Sequence, residues 1–111
     1  MMFKATGAGF HITFDNGWTI SVQWGPGTNS DNRMKSYGTL LLGMKSEEAE
    51  VFAWNEDDIW WNFGTHKPAR KGDCTMPYVK PDELIGYMHQ ISSITMSRDE
   101  AQLLQQMYHS K

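Results

Sequence analysis

The sequence predicts an α+β domain: a mainly antiparallel sheet of four to five strands, built as two hairpins, with two C-terminal helices packed on one face. Three observations carry this. From Gly9 to Trp24 apolar and polar residues alternate, the period of a strand with one buried face. Two short apolar runs, 49–54 and 59–63, flank an acidic turn at Asn55-Glu56-Asp57-Asp58. Beyond Pro81 the apolar residues recur with helical spacing and no strand pattern returns.

The first hairpin organises the rest. Phe10, Ile12 and Phe14 share one face of its first arm, and Trp18, Ile20, Val22 and Trp24 one face of its second. A two-residue Asn-Gly turn would set Phe14 against Thr19 and mismatch the faces throughout. A three-residue turn, Asp15-Asn16-Gly17, sets Phe14 against Trp18, Ile12 against Ile20 and Phe10 against Val22, with Gly17 in the left-handed position. A slip of one residue would expose a whole apolar face, so register selects the turn.

The run Gly9-Phe10-His11-Ile12-Thr13-Phe14, then Asn16-Gly17, then Ser21-Val22-Gln23-Trp24-Gly25-Pro26-Gly27, resembles small uncharacterised proteins of tailed bacteriophages. The helix start Pro81-Asp82-Glu83-Leu84 is a looser likeness. The resemblance implies a phage source and a setting in the cytoplasm of the infected bacterium. It implies no activity.

In chain order, Met1 to Ala8 reads as a short arm or frayed end. Gly25-Pro26-Gly27 stops the second strand, and a long polar loop, 28–38, follows. Thr39 to Lys45 reads as a strand and Ser46-Glu47-Glu48 as a turn. Ala49 to Trp54 is apolar on both faces and reads as a central strand, with a short helix capped by Ser46 as the rival reading. Ile59 to Phe63 alternates, with Ile59, Trp61 and Phe63 on one face and Trp60 and Asn62 on the other. A second long loop covers 64–76, and 77–80 is extended. Pro81 opens a helix, with Asp82 and Glu83 where the helix dipole favours acids. Leu84, Tyr87, Met88, Ile91 and Ile94 form its buried stripe. Ser97-Arg98-Asp99-Glu100 is a capping box that starts a second helix, whose Ala101, Leu104 and Tyr108 share a face.

The 111 residues suit one domain, 1–111, with one core. A net charge of −3 excludes a generally basic nucleic-acid binder and leaves room for a local basic patch. The single cysteine, Cys74, excludes an intrachain disulfide and a cysteine metal cluster and suits a reducing compartment. The N-terminal residues lack the apolar segment of a signal peptide, and no run approaches a membrane span.

Catalytic patterns fail on geometry. His11, Ser21 and Asp15 fall on one sheet face, but Asp15 is four residues along the strand from His11, roughly 13 Å away, too far for a triad hydrogen bond. His11, His66, His89 and His109 match no zinc spacing. The stretches Asn29-Ser30-Asp31-Asn32 and Glu56-Asp57-Asp58 lack the ligand spacing of a calcium loop. The functional signal lies at Trp60-Trp61. Neighbours on a strand face opposite ways, so one indole leaves the helix-covered side, beside the densest basic segment of the chain. The expected ligand-binding residues are Trp60, His66, Lys67, Arg70 and Lys71, with Arg33 and Lys35 approaching from the first loop.

The expectation is a small non-enzymatic binding protein without metal or cofactor. Its aromatic rings would stack the base of a nucleotide-like signal and its loop cations would meet phosphate, counteracting host defence by sequestration. The alternative is a protein-binding inhibitor that uses the same tryptophans as anchors. Neither reading calls for a long nucleic acid or a membrane; a homo-oligomer fits both.

Overall fold

Strand pairing begins earlier than the sequence suggests. In the computed structural model, which describes residues 1–35, 44–72, 74–96 and 98–109, Met2–Thr6 is a strand, β1, and not a frayed arm. It pairs antiparallel with β2 (Gly9–Thr13), Phe3 opposite Ile12 and Lys4 opposite His11. As an edge strand it is exposed on both faces apart from Thr6, so backbone pairing holds it and its side chains carry little pattern.

The β2–β3 hairpin adopts the register that its apolar faces demand. Ile12 lies opposite Ile20 and Phe10 opposite Val22 of β3 (Trp18–Gln23). The Phe14 N–H donates to the Trp18 carbonyl at 2.8 Å, and Gly17 has φ 84°. Asn16 does more than turn the chain. Its Oδ1 accepts the Trp18 N–H, while its Nδ2 donates to the carbonyls of Ile91 and Ile94, at 2.8 and 3.1 Å.

Ala49–Asn55 is a strand, β4, not the capped helix. One edge of β4 pairs with β3 over six residues, Trp18 opposite Asn55 through Gln23 opposite Glu50. Its other edge is divided. Trp54 pairs with Trp60 of β5 (Trp60–Asn62), while Ala49 and Val51 pair with β7 (Met76–Val79). The 64–76 stretch is not all loop: Lys67–Ala69 forms β6 against β5. Among the described residues the sheet thus has seven strands, in the order β1-β2-β3-β4-β5-β6 with β7 beside β4, and not four to five. Each described pairing is antiparallel. The strand expected over 39–45 lies mostly outside the described residues; Met44 and Lys45 are irregular.

Two helices follow, α1 (Pro81–Ser92) and α2 (Arg98–His109). Pro81 stands at the start of α1, and the Glu83 carboxylate accepts the Lys80 N–H at 3.0 Å, closing the first turn. Ser97 of the expected capping box lies outside the described residues. The apolar face of each helix meets the same side of the sheet. Ile91, Ile94 and Ala101 share one buried cluster with Ile12, Ile20, Val51, Ile59 and Trp61, and Leu84, Met88 and Leu104 pack against it. Tyr108 hydroxyl reaches the Pro68 carbonyl at 3.2 Å, tying α2 to β6. No helix among the described residues is long and apolar enough to cross a membrane.

Candidate functional site

The face of the sheet away from the helices is built by parity. Val22, Ile20 and Trp18 point into the core, so Gln23, Ser21 and Thr19 point out. In β4 the outward residues are Glu50, Phe52 and Trp54, and in β5 they are Trp60 and Asn62. Two rows cross the strands on this open face. One runs Lys4, His11, Ser21, Phe52; the next runs Met2, Thr13, Thr19, Trp54, Trp60, Ala69.

The rings of these rows touch. Phe52 and Trp60 are parallel within 6° with centroids 4.9 Å apart, and Phe52 and Trp54 lie at 29° and 5.5 Å. Parallel rings in contact are about 3.5 Å apart, so a centroid distance of 4.9 Å demands a lateral offset of similar size. The rings overlap like shingles and stay half-buried. His11 meets Trp54 edge-on at 5.1 Å. Its pKa is lowered, first by burial and then by the charge of Lys4 across the strand. The imidazole is therefore neutral near pH 7. Among the described residues, Trp60 Nε1 is a buried side-chain nitrogen without a hydrogen-bond partner.

Charge is distributed in favour of anions. The two rows contain no carboxylate, and Lys4 stands at one end. At the other end Lys67 lies opposite Asn62, on the face of Trp60. Glu50 is one row further down, where its Oε2 accepts the Asn29 N–H at 3.1 Å. Asn62 is occupied with its own turn, its Oδ1 accepting the N–H groups of Gly64 and Thr65.

The expected site residues divide into two groups. Trp60 and Lys67 share the open face, His66 (φ 57°) is in the β5–β6 turn, and Arg70 and Lys71 directly follow β6. All four of these polar residues are exposed, and Lys71 Nζ is 3.8 Å from Asp58 Oδ2. Arg33 and Lys35 lie elsewhere. Arg33 bonds Asn29, whose backbone is tied to Glu50 at the start of β4 and to the Tyr78 N–H of β7. Glu50 is four residues from Trp54, roughly 13 Å along the strand. Phe52, Trp54, His11 and Lys4 are the residues that sequence reasoning did not gather. Parity within Ala49 to Trp54 was the available signal, since Phe52 and Trp54 oppose the small and branched Val51 and Ala53.

A second concavity, about 740 Å³, lies on the helix side between Trp24, Val22, Val79 and Leu84. Its rim carries Asp31, Glu47 and Glu48 against Lys45. A side-chain hydrogen bond to Asp31, with some burial, raises the Glu48 pKa. That rim repels phosphate, and the open sheet face is the better site for an anion. No protein-family model, curated protein or solved structure matches the chain.

Proposed function

We propose that this protein is a non-enzymatic binder that receives a flat ring with an attached phosphate, a nucleotide-like ligand, on the open face of its sheet. The overlapping layer of Phe52, Trp54 and Trp60 with Lys67 on the same face carries the reading. A base laid on a half-buried indole covers apolar surface without asking the ring to move, worth about 1–3 kcal/mol. A hydrogen bond from lysine to phosphate adds about 1.5–3 kcal/mol. The two together come to about 2.5–6 kcal/mol before the cost of association, so a single free nucleotide binds weakly. The likeness of the first hairpin to phage proteins supports a setting in the cytoplasm of an infected bacterium, where such a binder would sequester a signal of this chemistry.

Tryptophan fluorescence titrated with nucleoside monophosphates at low and high salt tests the reading. Binding should quench the emission, weaken as salt rises, and be reduced several-fold by Trp60→Ala and by Lys67→Glu. Binding that neither substitution changes would place the ligand elsewhere.

A further inference from the structure

We infer that the occupant of the open face is a single strand of about four nucleotides, laid across the β-strands from Lys4 to Lys67, the low end of the site sizes of single-strand binding modules. This rests on the stacking reading and names its ligand class.

Three features point beyond a free nucleotide. First, the rings do not form one slot. His11 on β2, Phe52 and Trp54 on β4 and Trp60 on β5 make a continuous band, and the residue between them, Ser21, is too small to interrupt it. Second, the cations are at opposite ends. Lys4 and Lys67 are separated by five inter-strand spacings, about 24 Å across the sheet. One nucleotide carries its phosphate next to its base and can reach one of these lysines. A strand that stacks several bases reaches both. Third, the corridor between them is free of carboxylates, whereas the chain as a whole carries −3. Attraction is thus confined to the corridor, and a polyanion running far past either lysine gains nothing further. This limits length and fits a short strand over a long one. Bases of any kind offer a ring, so the site selects single-strandedness before sequence.

The test is calorimetry on the whole chain with thymidine 5′-monophosphate and with tetrathymidylate, using wild type, Lys4→Glu and Lys67→Glu, each variant checked for an unchanged melting curve. Tetrathymidylate should bind at least tenfold more tightly than the monophosphate. Lys4→Glu should weaken the tetramer several-fold and leave the monophosphate unchanged, while Lys67→Glu weakens both. The logarithm of the tetramer binding constant should fall with the logarithm of salt at a slope of about −1.4, two phosphate contacts at about −0.7 each. Equal binding of monomer and tetramer would overturn the strand inference and leave the stacking site standing. A tetramer whose affinity ignores Lys4→Glu would also overturn it, because the strand would not cross the sheet. If neither ligand binds, both readings fall.

Discussion

Asn16 shows how one side chain joins parts of the chain far apart in sequence. It completes the hairpin through its oxygen and holds the end of α1 through its nitrogen. Asn16→Ala would leave two carbonyls without that donor, and thermal or urea unfolding should show a loss of about 1–3 kcal/mol. Gly9 is constrained by contact. A Cβ there would sit 2.2 Å from the Val22 carbonyl oxygen and 2.6 Å from Gln23 Oε1. Gln23 passes over this bare position to bond Thr6, one strand further on. Gly9→Ala should therefore lower the melting temperature and break that bridge. His11 makes a prediction about pH. Its folded pKa lies below the unfolded value of about 6.5, so the unfolded chain binds more protons in that window. The stability it contributes is present above 6.5 and is lost as pH falls through the folded value. His11→Gln should flatten melting temperature against pH just below about 6.5, and an NMR titration of the imidazole should show the lowered midpoint directly.

Among the elements, α1 separates burial from periodicity. Ile91 is fully buried and Ile85, on the same helix, is 69% exposed. Ile91→Ala should cost about 2–5 kcal/mol in equilibrium unfolding, and Ile85→Ala less than about 0.5. Similar losses at both would contradict the packing of α1 on the sheet. The helix and the β2–β3 hairpin were legible because each has faces of different polarity or a strong start signal such as Pro81, whereas β4, apolar on both faces, left a short helix as a rival until its pairing with β3 decided for a strand. β1 and β6 were not. The first is exposed on nearly every side chain and the second has three residues, one of them proline, so neither must alternate in order to pair. Tyr78 has φ 52°, a conformation costly for a bulky residue, where β7 shifts register against β4; no local sequence signal marks it.

Over the whole molecule, two of the six residues gathered on the open face could be read in advance. Trp60 and Lys67 are seven residues apart, and strand alternation alone set the indole away from Trp61. Lys4 and Phe52 join one row only because two other strands lie between them, which pairing decides and composition does not. Trp61 and Trp60 should accordingly respond in different assays. Trp61 stacks edge-on against Trp18 and bonds Gln90, so Trp61→Ala should cost about 3–5 kcal/mol in unfolding, while Trp60→Ala should act chiefly on ligand titrations. The two borders of the sheet are also unequal. Pro68 pairs with Trp61 and has no N–H to give, so its polar groups point outward, where Tyr108 already occupies the carbonyl. Tyr78 spends its N–H on Asn29. Among the described strands, that leaves β1 as the border without such a block, where another strand can be added. A body whose described strands offer one adhesive margin joins edge to edge with one other and then has little to offer a third. Concentrated solutions should therefore stop at pairs instead of growing into fibres.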